Sequence, residues 1–284
     1  VAGPEPLVRD ISDTARWVAW FRAQESDRPD AQFKDPFARK LAGERGAKIA
    51  HELKDGKRNA WALVARTVAI DEFVGVEVAR GVDVVLNLAA GFDARPYRLA
   101  LPSTLQWLEV DLPPLLEAKR EAMATEMPTC RLERIAVDLA DGAARKKLFA
   151  EVGARGRNVL VITEGLLIYL GAENVAALAR DLHAVPAFQR WILDVASPRL
   201  LAMLQRGVGT GLAAAGAPLR FAVEDGADHF VPLGWKPVEV KSVLQVGARI
   251  GRLPWFLKLI AKLPEPTRPE KRIWSGVCLM ERTG

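Results

Sequence analysis

The sequence predicts an α/β protein with a doubly wound, mostly parallel sheet. Three observations predict it: short apolar runs of strand length alternate with segments of helical spacing from residue 82 onward, half of the 284 residues are apolar, and 26% are charged. Strands alternating with helices imply right-handed crossovers, and such sheets bind ligands beyond the carboxyl ends of their strands. The composition excludes disorder and collagen-like repeats. One domain with elaborated termini is expected: a helical cap over residues 1–80, then the sheet domain over 81–284.

Taken in order, Ser12 and Asp13 offer N-caps to a helix running to about residue 25, with Ala15, Val18, Ala19 and Phe21 as its apolar surface and Arg22 one turn beyond Val18. Asp35-Pro36 reads as a cap plus first-turn proline opening a short helix to about residue 42. Residues 60–78 have helical spacing in Leu63, Ala65, Val68, Ile70, Phe73 and Val74. Strands are then expected at 82–88, 105–110, 132–137, 159–163 and 191–195, with helices at 115–127, 143–152 and 173–184. After Pro198 a helix is expected, followed by a small-residue stretch at 207–216 that suits a mobile loop. Residues 238–242 and 273–281 complete a seven-stranded sheet, separated by a segment punctuated by Pro254, Pro264, Pro266 and Pro269.

No run approaches the roughly 18 consecutive apolar residues that a membrane span needs, and residues 1–10 lack a signal peptide's basic start and apolar run. A cytoplasmic protein with no membrane partner is expected. Two cysteines, Cys130 and Cys278, are too few for a disulfide scaffold, and His51, His183 and His229 supply no metal-ligand spacing, so no metal is expected. Forty basic against 35 acidic residues give a net charge of +5, spread along the chain, which argues against specific nucleic-acid binding.

The densest chemical signal runs from Val84 through Asn87-Leu88-Ala89-Ala90-Gly91-Phe92-Asp93 to Arg95. A buried strand ends there in a small-residue turn that lets the backbone approach a bound cofactor. The full GxGxxG of dinucleotide sites is missing, and so is a third glycine opening a helix onto a pyrophosphate. Asp111 closes the next strand 20 residues after Gly91, the separation at which a carboxylate reaches a ribose held over the first turn. Together they point to an adenosine-containing cofactor without a strong pyrophosphate site. Glu109 lies one pleat back. Asp138 ends the third strand, placed either to accept the adenine amine or to cap the following helix. Glu164 ends the fourth, where a carboxylate flanked by apolar residues is costly unless it meets a cation or donors.

These residues resemble the leucine carboxyl methyltransferase family. The resemblance rests on residues 87–98, on Glu109-Val110-Asp111 and on Glu164-Gly165-Leu166-Leu167-Ile168-Tyr169-Leu170. Thr14-Ala15-Arg16-Trp17, Asp35-Pro36-Phe37-Ala38 and Arg66-Thr67 with Asp71 extend it over roughly residues 10 to 200. The family is a branch of the class I S-adenosylmethionine-dependent methyltransferases, which implies a Rossmann-like sheet with an N-terminal helical lid and an insertion near 198–235 over the acceptor. It further implies that Ala89, Gly91 and their turn approach the methionyl part of S-adenosylmethionine, and that Asp111 holds the ribose. Asp138 and Leu139 would flank the adenine, Arg66 would pair with the methionyl carboxylate, Arg22 would share that basic corner, and Glu164 would lie near the amino end beside the transfer site. Arg95 and Arg98 read as structural ion pairs.

The family's usual glycine is Ala89 here. If the position needs a positive φ, alanine costs on the order of 1 kcal/mol; if it needs only room, affinity falls further. The implied reaction is methyl transfer to a carboxylate or hydroxyl of a small molecule or peptide terminus, leaving S-adenosylhomocysteine. A carboxylate needs no base at pH 7, whereas a hydroxyl needs one, for which His229 is the candidate in the acceptor region. Leu212, Leu219, Phe221, Phe230 and Trp235 are expected to close an apolar pocket. The competing classes are an NAD-dependent oxidoreductase on a similar sheet and a non-catalytic cofactor- or RNA-binding relative.

Overall fold

The computed structural model describes residues 11–52, 56–214, 216–263 and 272–284. Seven strands form one sheet: β1 (Val84–Leu88), β2 (Gln106–Asp111), β3 (Arg131–Ala136), β4 (Val159–Thr163), β5 (Phe188–Ala196), β6 (Trp235–Ser242) and β7 (Ser275–Arg282). Their order across the sheet is β3-β2-β1-β4-β5-β7-β6, and β7 alone runs antiparallel to its neighbours. β1 and β4 are buried at every residue, as continuous Val/Ile/Leu runs covered on both faces must be. The order reverses between β1 and β4, so their carboxyl ends open the crevice where a ligand can enter.

The expected strands fall where the apolar runs place them. The helices are α1 (Ile11–Ser26), α2 (Ala38–Glu52), α3 (Gly56–Ala79), α4 (Arg95–Arg98), α5 (Pro113–Ala122), α6 (Gly142–Gly153), α7 (Ala172–His183), α8 (Pro198–Leu204), α9 (Thr210–Ala214), α10 (Val243–Arg249) and α11 (Trp255–Ile260). Gly43, at φ 58°, breaks α2 into two pieces next to the expected stop at residue 42.

On one face of the sheet, Val68 and Phe73 of α3 and Val246 of α10 pack on Val85, Trp107, Leu160 and Ile192. On the other, Phe149 of α6 and Val175, Leu178 and Leu182 of α7 pack on Leu86, Val161 and Trp191. The N-terminal helices therefore divide: α3 is a layer of the core, whereas α1 and α2 pack on each other and on the turn after β1 through Ala19, Leu41, Phe92 and Tyr97. Ion pairs fix α1 there, Arg22 to Asp35 at 2.9 Å, Arg45 to Asp13 at 2.9 Å, and Arg252 to Glu25 at 2.8 Å.

Two expectations are corrected. Of the stretch expected as a loop at 207–216, residues 207–214 are helical: a π-helical turn, Gln205–Gly209, carries α8 into α9. Glycine lowers helix propensity by only about 1 kcal/mol, and Val208 and Leu212 offset it by packing beside Ile49 and Leu219. Nor do Phe221, Phe230 and Trp235 close a pocket. They are buried in the core against the sheet, with Phe230 and Trp235 edge-on to Trp191 at ring separations of 5.2 and 5.3 Å. Large aromatics gain most where they are fully buried, and the sheet face offers that burial.

Candidate active site

A cavity of about 400 Å³ lies at the carboxyl ends of β1, β2, β4 and β5, roofed by α1 and the α8–α9 segment. Its volume is that of a small-molecule site. Its floor begins at the turn after β1. Ala89 has φ 53° and Gly91 φ 49°, and Ala89 is the only non-glycine with positive φ among the described residues. The first of the two readings of Ala89 therefore holds: the position needs a left-handed backbone, and alanine adopts it at a cost. A Cβ on Gly91 would stand 3.4 Å from that of Ala15 on α1, so the turn is close-packed as well as left-handed.

Asp111 closes that turn. Its Oδ2 accepts the Gly91 N–H at 2.7 Å and its Oδ1 the Leu112 N–H at 2.8 Å, while further lone pairs remain on the cavity side. Burial pushes its pKa up, and the two backbone donors only partly offset this. Such a carboxylate gains from additional donors.

Glu164 lies between two guanidinium groups. Arg66 Nε donates to Oε1 at 3.1 Å and Arg95 Nη1 to Oε2 at 2.7 Å. Burial raises its pKa, but Arg95 and Arg66 outweigh that and hold it below the ordinary carboxylate range, so it is ionised. Arg95 also meets Asp71 at 2.7 Å and Asp93 at 2.9 Å, and Arg98 binds Asp71 through two bonds of 2.7 Å. Both arginines sit in ion-pair networks, as their sequence reading expected. Arg66 also donates to Asp194 at 3.1 Å, and its Nη2 has no hydrogen-bond partner among the described residues.

Arg22, buried beneath the cavity, pairs with Asp35 and donates to the Phe92 carbonyl, bracing the turn from α1. Asp138 and Leu139 line the cavity edge. Asp138 Oδ1 accepts the Ala140 N–H at 2.9 Å, but the cap of α6 is Asp141, which takes the N–H groups of Ala143 and Ala144. Capping therefore leaves Asp138 for another role. Glu109 is withdrawn entirely, fully buried between Lys119 at 2.8 Å and Arg134 at 3.0 Å.

His229 does not join these residues. It lies outside the cavity lining, on the 3₁₀ segment Gly226–Leu233, 3.7 Å from Asp225 and edge-on to Phe221 and Phe230. The aromatic packing that fixes Phe230 into the core holds it there.

Two cavity residues escaped the sequence reading. Asp194 accepts both Arg66 and the Gly165 N–H at 2.7 Å, with its pKa raised by burial despite these partners. Its signal was a lone acid in the run Trp191-Ile192-Leu193-Asp194-Val195. Tyr169, hydrogen-bonded to Thr14, has its phenol pKa raised by burial and stands where the charged floor meets an apolar wall of Trp17, Ile168, Leu204, Val208, Leu212 and Leu219.

A seven-stranded sheet of this order, β7 alone antiparallel, with a cavity at the carboxyl ends of β1 and β4, defines a class I methyltransferase fold. The family model of leucine carboxyl methyltransferase matches residues 15–183, and the chain belongs to that family. A protein of Rhodococcus jostii, provisionally named an S-adenosyl-L-methionine-dependent methyltransferase, is 38% identical over 183 residues, spanning 61% of this chain and 62% of that one. A Frankia alni protein with the same provisional name is 31% identical over 265 residues, spanning 84% and 88%. Among solved structures, a DUF574 family protein from Streptomyces avermitilis superposes with a TM-score of 0.60 at 14% identity, covering 95% of this chain and 97% of that one. A provisionally named methyltransferase from Thermobifida fusca gives 0.55 at 12%, covering 98% and 96%. At such identities the structural likeness speaks for the fold.

Proposed function

We propose that this chain binds S-adenosylmethionine in the cavity and transfers its methyl group to an oxygen, a carboxylate or hydroxyl, of a small-molecule or peptide-terminal acceptor. The observation that carries the reading is Asp111: a buried carboxylate tied to the Gly91 N–H across the left-handed turn, with unspent acceptor capacity facing the cavity. The residues present suit the cofactor. Asp111 would take the ribose hydroxyls, Asp138 and Leu139 would border the adenine, and Arg66 would turn its unspent Nη2 to the methionyl carboxylate, with Glu164 and Asp194 near the amino group.

When bound, S-adenosylmethionine supplies an already activated methyl on its sulfonium. The chain's part is then alignment and exclusion of water. Glu164, ionised between two arginines, acts as a positioning residue and a weak base. A carboxylate acceptor needs no general base, and the position of His229 outside the cavity favours that choice over a hydroxyl. The helix after the turn, α4, spans only Arg95–Arg98, which speaks against a pyrophosphate site and so against the oxidoreductase alternative.

Calorimetric titration with S-adenosylhomocysteine tests the reading. Asp111→Ala, losing charge-assisted bonds worth roughly 1.5–3 kcal/mol each, should bind at least about tenfold more weakly while remaining folded. Unchanged affinity removes Asp111 from the site. Methyl incorporation from labelled cofactor into carboxylated and phenolic compounds tests the acceptor class; incorporation only into amines, thiols or RNA overturns it.

A further inference from the structure

Among the described residues, the outer face of α11 carries the largest group of exposed apolar side chains outside the cavity. Trp255 is 78% exposed, Leu259 64%, Leu263 54%, Ile260 49% and Phe256 37%. Backbone hydrogen bonds from Lys262 to Leu259 and from Leu263 to Ile260 carry the helical turn beyond the end of α11. At about 100° per residue, Trp255, Phe256, Leu259, Ile260 and Leu263 share one arc. Leu257 and Ala261, both half-buried, fall on the opposite arc, and the Ala261 carbonyl there accepts from Gln245 of α10. Lys258 and Lys262 border the apolar arc on one side, and both are exposed. An apolar face of this kind in contact with water marks an interaction site.

We infer that this face is a docking surface for a negatively charged lipid bilayer. Charge selects the occupant. Residues 253–263 hold two lysines, Lys258 and Lys262, and no acid. Glu25 and Asp30, the acids next to this segment, are engaged by Arg252. A second copy docked by this face with the two α11 helices antiparallel about a two-fold axis would bring lysines against lysines, whereas anionic headgroups meet them while Trp, Phe, Leu and Ile enter the acyl boundary. Among the described residues no helix is long and apolar enough to cross a membrane, and this mode of binding requires none.

The patch also lies at the cavity's end of the molecule. Arg252 ties its start to Glu25 of α1, and β7, which follows it, begins with Ser275 paired to Ala196 at the carboxyl end of β5. Docking by this face therefore holds the carboxyl end of the sheet near the bilayer.

Co-sedimentation with vesicles of phosphatidylcholine and phosphatidylserine, about 7:3, tests the inference on the full chain. The protein should pellet with them, release as salt is raised, and leave pure phosphatidylcholine vesicles largely unbound. The bound fraction should fall at least about tenfold in Lys258→Glu with Lys262→Glu, and equally in Leu259→Ser with Ile260→Ser, which keeps the charge; all four side chains are exposed, so circular dichroism should match the parent. No pelleting of the parent, equal pelleting of either variant, or equal binding to pure phosphatidylcholine overturns the inference. A dimer in light scattering that Leu259→Ser with Ile260→Ser converts to monomer overturns it too, giving the face to a second copy.

Discussion

The two walls of the cavity are built by different physics. The floor is charged and set by strand ends: Asp111 at the end of β2, Glu164 after β4 and Asp194 in β5 each stand where a hydrogen-bonded sheet fixes the backbone, Arg66 cross-links Glu164 and Asp194, and Arg95 ties Glu164 to Asp71 and Asp93. The opposite wall is apolar and comes from α1, the 3₁₀ turn Leu167–Tyr169 and the short α8–α9 segment, held by side-chain packing and by tertiary hydrogen bonds such as Arg220 N–H to the Ile168 carbonyl at 2.7 Å and Gln205 Nε2 to the Leu219 carbonyl at 2.9 Å. Groups on rigid elements can meet one fixed ligand accurately. A wall of Leu, Val and Ile can change shape from one relative to another without disturbing them. The difference suits the floor to holding the proposed cofactor and the wall to meeting the proposed acceptor.

The largest expected effect comes from cutting the floor's network. Arg95, 2% exposed, serves Asp71, Asp93 and Glu164 at once. Arg95→Met takes the shared guanidinium from three largely buried carboxylates, leaving Asp71 with Arg98, Glu164 with Arg66 and Asp93 with Asn87, and losing one partner of such a set costs about 3–5 kcal/mol. Chemical denaturation should show that loss with the slope unchanged; a parental midpoint would mean that the network contributes nothing to stability.

Next in size is the acid dependence of the floor. Burial raises the pKa of Asp111, so the ligand-free fold holds this proton more tightly than the unfolded chain does, and the group's contribution to stability falls as pH rises through the folded value. In the proposed role Asp111 accepts from the ribose hydroxyls as the ionised form, so cofactor affinity should rise over the same window, which lies above the ordinary 3.8. Glu164 is held below its ordinary value and remains charged throughout that window. Titrating S-adenosylhomocysteine from pH 4 to 7 should show the rise in the parent and a flatter, weaker profile in Asp111→Asn. Parallel profiles would separate Asp111 from the titration.

The apolar wall should respond otherwise. Leu212→Ala removes a buried side chain that lines the cavity beside Leu219, at a stability cost of about 2 kcal/mol. Its cofactor affinity should stay within about twofold of the parent while the acceptor KM rises. A tenfold loss of cofactor affinity would show that the two walls are coupled.

The same division explains what could be read from the sequence. Asp111 and Glu164 are charges at the ends of apolar strands, and that anomaly is visible without coordinates. Asp194 carries the same anomaly, but it lies inside the strand instead of closing it, and its partner Arg66 is 128 residues away. Aromatic content alone could not say whether Phe230 faces a ligand or the sheet, since burial favours both. Residues 207–216 looked like a loop because glycine weakens a helix locally, whereas the contacts of Val208 and Leu212 that restore it are tertiary. The prolines at 254, 264, 266 and 269 similarly drew attention from the apolar arc between them.

The smallest expected effect is at Ala89, and it sharpens the contrast because it tests whether the floor is strained. An alanine at φ 53° costs roughly 1–2 kcal/mol relative to right-handed backbone. Glycine removes that cost but adds about 0.5–1 kcal/mol of unfolded-chain entropy. Ala89→Gly should therefore stabilise the protein by about 0.5–1 kcal/mol, a rise in Tm of roughly 1–4 °C for a chain of this size. The turn's hydrogen bonds, Asp111 to the Gly91 N–H and Ala90 N–H to the Val110 carbonyl, involve no side chain of residue 89 and should survive. Cofactor affinity should be equal or higher, since the methyl leaves the turn that lines the cavity proposed for the cofactor. Differential scanning calorimetry with and without S-adenosylhomocysteine separates the two contributions. A lower Tm without ligand would mean that Ala89 rests in this conformation without strain, its methyl packed well enough to compensate.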